Sequence, residues 1–185
     1  ISIYTVSALK KVNSDLKVLW IDAHADCNNK KTSPSGNLHG MSMAHLLGYQ
    51  ESNYKCLSPK DITYIGIRDL DPGEVEYIDN KDIKCFPIEH FKNNNLKKCV
   101  ADILQHIDDC PIHISLDIDV CDPSIAPGTG VPVENGLNKE EICCLIDMIK
   151  KTKNVKSLEI VEYFPEFDKN KKTLSLIRDI MSYVC

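Results

Sequence analysis

The 185-residue sequence has no Cys-x-x-Cys pair, no apolar run approaching the length of a membrane span, no internal repeat and no surplus of basic residues. Each absence excludes a class. Nine cysteines, at positions 27, 56, 85, 99, 110, 121, 143, 144 and 185, form an odd, irregularly spaced set. A secreted disulfide scaffold or a paired-thiolate zinc knuckle needs a regular framework, so reduced, mostly buried thiols in a cytoplasmic protein are expected instead. With 22 basic against 27 acidic side chains the net charge is −5, and neither a nucleic-acid nor a membrane partner is expected. The sequence opens on Ile1 rather than methionine, and residues 1–6 have neither the basic stretch nor the cleavage site of a signal peptide. Residues 1–6 read as the interior of a structured element, as in a fragment or a trimmed chain. The Lys- and Asn-rich runs at 93–95 and 169–172 read as solvated loops.

What is present is enough for one core. At 43% hydrophobic residues the chain is not disordered, and its length fits a single domain with no linker to divide it. Short β-branched runs at 18–21, 62–67, 112–116 and 157–161, with a shorter one at 84–86, alternate with helical periodicity at 41–47, 72–78, 96–107, 139–151 and 173–184. Alternation of this kind specifies βα units and a parallel sheet. Asn138 and Glu141 form a cap and its capping-box partner for the helix whose inward stripe is Ile142, Leu145, Ile146 and Ile149. The two longest irregular stretches, 27–40 and 122–136, each follow a strand end. Ligands of open parallel sheets bind outside the carboxyl ends of the strands, so the site is expected at these loops.

Both strand ends carry potential metal ligands. Asp22-Ala23-His24-Ala25-Asp26 follows the first strand and places three ligand types at alternating positions, which extended backbone projects to one side. Asp117-Ile118-Asp119 follows the strand at 112–116. Either motif alone is equally a strand-to-loop junction with capping aspartates. Together, in one topological position, they form a cluster of four carboxylates and one imidazole whose mutual repulsion calls for cations. An oxygen-rich donor set without thiolate favours a hard or borderline ion such as Mn²⁺, and five donors exceed what one ion takes from protein. A two-metal site is expected. Ser35-Gly36-Asn37-Leu38-His39-Gly40 adds a loop histidine among neutral hydrogen-bonding groups, with Asn28 nearby. His45, His90, His106 and His113 lie in helix- or strand-like runs and read as packing or surface residues.

These motifs, with Ile65-Gly66-Ile67-Arg68-Asp69-Leu70-Asp71-Pro72-Gly73-Glu74, Asp122-Pro123, Gly128-Thr129-Gly130 and Leu158-Glu159-Ile160-Val161-Glu162, resemble in order and spacing the arginase signatures of the ureohydrolase superfamily. The resemblance covers nearly the whole chain. It implies a three-layer α/β/α fold with a mainly parallel sheet, and a hydrolase with two Mn²⁺ per subunit that splits L-arginine into L-ornithine and urea. It also implies a homotrimer and a place in arginine metabolism and the urea cycle. By carry-over, Asp22 and Asp117 would bridge both ions, Asp26 would complete the first, and His24 and Asp119 would bind the second. Glu162 would hold the guanidinium group and His39 would move a proton. Asn28, Ser35 and Asn37 would grip the α-carboxylate, and Asp71, with Glu74 close by, the α-amino group. Because that loop is built for a carboxylate, arginine is expected over agmatine. The alternatives are an agmatinase or another guanidino-substrate ureohydrolase, and a catalytically silent metal-binding or assembly homologue.

Three departures separate the sequence from the family pattern. Ala25 stands where the family has threonine, and Val131 where a hydroxyl is common, which would loosen the hydrogen bonds that orient ligands and substrate. The family's first metal-binding histidine would align about two positions before Ile1. Residues 1–185 are therefore expected to form an arginase-like domain missing its N-terminal part, and the chain alone is expected to bind one ion normally and the other weakly.

Overall fold

A computed structural model describes residues 1–107 and 109–184. Cys185 lies outside the described residues. The eight other cysteines are unpaired and buried or half-buried, as expected of reduced thiols. Five strands form one parallel sheet: β1 (Lys17–Ile21), β2 (Ile62–Ile65), β3 (Lys84–Phe86), β4 (Ile112–Asp117) and β5 (Val155–Val161). Their order across the sheet is β3-β2-β1-β4-β5. The chain builds outward from β1 through β2 to β3, then returns to the other side of β1 with β4. The strand order thus reverses between β1 and β4, and at such a switch point the loops leaving the two strands diverge and open a crevice.

Helices α1 (Ser2–Val12), α2 (Ser42–Leu47), α3 (Pro72–Lys81), α4 (Ile88–Asn93), α5 (Leu96–His106), α6 (Lys139–Thr152) and α7 (Lys172–Ser182) cover the sheet on both faces. Alternate residues of β1 divide between the two cores, as the pleat dictates. Val18 and Trp20 pack with Val6, Met43, Leu46 and Ile78 from α1 to α3, whereas Leu19 and Ile21 pack with Phe91, Val100, Ile146 and Leu176 from α4 to α7. The result is the expected α/β/α arrangement. Among the described residues no helix is long and apolar enough to cross a membrane.

Local chemistry explains the boundaries. Asn138 Oδ1 accepts from the Glu141 amide at 3.0 Å, and Glu141 Oε2 accepts from the Asn138 amide at 2.8 Å, the reciprocal cap expected for α6. The expected strand at 62–67 stops at Ile65, because Gly66 takes φ +88. A Cβ there would lie 2.5 Å from Val120 Cγ2, so a glycine allows the β2 tip to approach the loop after β4. Residues 2–6 open α1, with Ile1 at its N-cap, a helix whose β-branched start, Ile3, Thr5 and Val6, also suits a strand. The short helix α4, between Pro87 and Asn94, has no sequence counterpart above.

Candidate metal centre and active site

The switch point gathers the acidic motifs. Asp22 is the first residue beyond β1 and Asp117 the last of β4, and the strands run side by side with Ile21 opposite Leu116. Asp22, Asp117 and Asp119 are buried, at 2%, 6% and 3% exposure. The Ala23 amide donates to Asp119 Oδ1 at 3.1 Å, joining the two tips. His24 Nδ1 lies 3.0 Å from Asp119 Oδ2 and 3.5 Å from Asp22 Oδ1. One donor atom from each of Asp22, His24 and Asp119 falls within 4.8 Å of the others, a spacing that could hold a metal ion.

Turns inside each motif fix its carboxylates. Asp22 Oδ1 accepts from the His24 amide at 2.7 Å, and Asp117 Oδ1 accepts from the Asp119 amide at 2.9 Å. Asp26 adopts φ +51, a left-handed conformation that turns the chain, and its carbonyl accepts from Met43 and Ala44 at the start of α2.

Electrostatics show why the cluster suits cations. Burial, then the charge of Asp119, raises Asp22 to about 7 despite the hydrogen bonds from His24. Burial and the charge of Asp22 likewise push Asp26 and Asp117 well above the usual carboxylate range. Burial disfavours a charged His24, but hydrogen bonds to Asp119 and Asp22 and their charges override it and raise the imidazole to about 11. In this arrangement the imidazole supplies the positive charge that the carboxylates require. A divalent ion does the same more strongly, and oxygen donors with one imidazole fit Mn²⁺.

Two further carboxylates approach from the neighbouring strands. Glu162 follows Val161, which lies opposite Asp117 in the β4–β5 ladder, so it emerges one residue beyond the metal-side end of β4, exposed and at φ +56. Beyond β2, Asp71 Oδ2 accepts from Asn28 Nδ2 at 2.8 Å, which ties the start of α3 to the loop after β1. Asn28 Oδ1 is buried without a hydrogen-bond partner. Ser35, Asn37 and His39 stay exposed along that loop, with Ser35 Oγ accepting from the Asn37 amide at 3.2 Å.

Glu74, expected close to Asp71, is held by the main chain on either side. It is 4% exposed, and its two oxygens accept from the amides of Cys27 at 3.0 Å and Asp71 at 3.1 Å. Through these two bonds it joins the α3 cap to the loop after β1. Asp69 also reaches the cluster. Its Oδ2 lies 3.6 Å from His24 Nε2, on the side opposite Asp119. Only the alternation Asp69-Leu70-Asp71 after a strand hints at it.

His113 is likewise more than a packing residue. Buried in β4, its Nδ1 lies 2.7 Å from Ser157 Oγ and its Nε2 3.4 Å from Glu159 Oε1. Ser115 donates to the same Glu159 oxygen at 3.0 Å. Burial alone would raise the Glu159 carboxyl, but hydrogen bonds from His113 and Ser2, with the His113 charge, hold it down at about 2. His90 pairs with Asp102 at 3.3 Å on α5, away from the switch point.

A family profile described as the Arginase family matches residues 1–185. An arginase of Plasmodium berghei (strain Anka) is 40% identical over 182 residues, which cover 92% of this chain and 51% of that protein. Among solved structures, the arginase of Bacillus caldovelox superposes with a TM-score of 0.95 at 33% identity, covering 100% of this chain and 64% of that one. The Entamoeba histolytica arginase solved with L-ornithine gives a TM-score of 0.93 at 34% identity, covering 100% and 66%. The chain spans about half the length of the Plasmodium relative and just under two thirds of these solved chains.

Proposed function

The chain belongs to the arginase family, and from that premise we propose that it carries the catalytic site of a hydrolase that converts L-arginine and water to L-ornithine and urea. The observation that carries this reading is the convergence of Asp22, His24 and Asp119, each within 4.8 Å of the others, at the β1–β4 switch point. Asp22 and Asp117 would be shared by two Mn²⁺ ions, with Asp26 completing one site and His24 and Asp119 the other. Such ions lower the pKa of a bound water from about 15.7 towards 7 and so provide a nucleophile at neutral pH.

The chain's own residues do the positioning. Glu162 pairs with the planar guanidinium group, a charge-assisted contact that holds its carbon in line for attack. His39, exposed on the loop after β1, delivers a proton towards the departing amine. Asn28, Ser35 and Asn37 hold the α-carboxylate and Asp71 the α-amino group, while Glu74 fixes Asp71 to the Cys27 amide. The buried Asn28 Oδ1 lacks a partner, as befits a polar group facing a ligand. The Entamoeba structure with L-ornithine supports a product of this chemistry. A homotrimer accompanies this reading, and sedimentation of the full-length protein tests it.

Paired assays of urea release from L-arginine and from agmatine test the substrate. Arginine turning over at least about 100-fold faster supports the reading, since a site built to bind a polar group rejects an analogue lacking it by large factors. Equal or faster turnover of agmatine contradicts it.

A further inference from the structure

The sequence contains two arginines, Arg68 and Arg178. Arg178 is exposed on α7, whereas Arg68 stands half-buried just beyond β2, beside the acidic cluster. A guanidinium group has five N–H donors in a rigid planar fork. Arg68 directs all five at main-chain carbonyls. Nε donates to Glu134 at 3.0 Å, Nη1 to Gly66 at 3.3 Å and Val120 at 3.1 Å, and Nη2 to Asp119 at 2.7 Å and Val133 at 2.8 Å.

These five carbonyls belong to three pieces of chain. Gly66 follows β2, Asp119 and Val120 follow β4, and Val133 and Glu134 lie near the end of the long loop at 122–136. The base of that loop is closed by reciprocal bonds: the Asp122 amide donates to the Leu137 carbonyl, and the Leu137 amide to Val120. Lys92 Nζ adds a bond to the Gly136 carbonyl at 2.9 Å. Arg68 therefore joins the loop's far arm to the segment that carries Asp119. The shortest of its five bonds is the one to the Asp119 carbonyl.

We propose that Arg68 is a positioning residue for the metal ion held by His24 and Asp119, acting by fixing the Asp119 main chain and the 122–136 loop through its five-carbonyl fork. The inference rests on the metal reading above. Lysine offers a charge but only three donors from a single point, and cannot reproduce a planar fork. The charge of Arg68 contributes favourable potential near the carboxylates, but the geometry is the working part.

Titrating Mn²⁺ into the full chain by electron paramagnetic resonance tests this for wild type, Arg68→Lys and Arg68→Gln. The expected result is at least a tenfold loss of affinity at the His24–Asp119 ion in both variants, with the other ion affected by less than about twofold. Full rescue by lysine, no change, or an equal loss at both ions overturns the inference. A wild-type protein that binds no Mn²⁺ instead overturns the metal reading. Should both variants fail to fold, proton exchange at the two arginine Nε–H groups of the wild type decides. Arg68 should exchange at least tenfold more slowly than Arg178, and equal exchange removes the fork from which the inference starts.

Discussion

His24 Nδ1 lies 3.0 Å from Asp119 Oδ2, so an imidazole from the loop after β1 sits against a carboxylate from the loop after β4. The contact spans the point where strand order reverses. Without metal, the charge of His24 offsets part of the burial and repulsion that raise Asp22 and Asp26.

Chelation should therefore destabilise the fold selectively. Bound ions that favour the native state add about 2.7 kcal/mol at a free concentration 100 times the dissociation constant, a shift readable as melting temperature. Removing metal with a chelator is expected to lower the melting temperature, and Mn²⁺ to restore it better than an equal concentration of Mg²⁺. On the proposed assignment the Asp26-side ion has only the carboxylates of Asp22, Asp26 and Asp117 in this chain, so one tight and one weak Mn²⁺ are expected in equilibrium dialysis.

Glu162 holds a left-handed φ of +56, which a long side chain adopts at a cost of order 1 kcal/mol. Glu162→Gly should raise the unfolding free energy slightly, by up to about 1 kcal/mol, while abolishing urea release. Glu162→Gln should leave stability near wild type and reduce kcat/KM by at least about 100-fold through the lost ion pair. Urea denaturation and steady-state kinetics on the same preparations separate the two effects.

Asn28→Ala should act through specificity. The Asn28–Asp71 hydrogen bond of 2.8 Å joins the two groups proposed to hold the substrate's amino-acid end. Truncation is expected to cost about 10-fold or more in kcat/KM for arginine and much less for agmatine, so the ratio of the two falls.

Glu159 supplies a pH dependence remote from the metal ligands. Its folded pKa of about 2 lies below the ordinary 4.5, so the native state favours the ionised form. The associated stability is present in full above about pH 4.5 and is lost as pH falls through about 2. Glu159→Gln should destabilise the protein at pH 7 by on the order of 1–2 kcal/mol, discounted for partial solvent access. The difference from wild type should shrink between pH 4.5 and pH 3 in denaturant titrations.

The sheet and the clustering of Asp22, His24 and Asp119 were legible in the sequence because their signals are local. β-branched runs mark buried strands, and Asp22, His24 and Asp26 lie in a single five-residue motif beside a strand end. Arg68 was not legible in the same way. Its bonds reach Asp119, Val120, Val133 and Glu134, and only the folded β2–β1–β4 neighbourhood assembles them. His113 meets Glu159 through the β4–β5 register, which pairs it with Ser157 and which no one-dimensional pattern displays. Glu74 is a further case, because its bond to the Cys27 amide joins residues 47 apart in the sequence.

The tips of β1 and β4 are proposed to hold the metals of an arginase-type site. Anomalous diffraction at the manganese edge from Mn²⁺-soaked crystals of the chain tests it most directly. A strong peak is expected among Asp22, His24, Asp117 and Asp119, with a weaker one on the Asp26 side. No peak at the switch point, or manganese bound only elsewhere on the molecule, would contradict it.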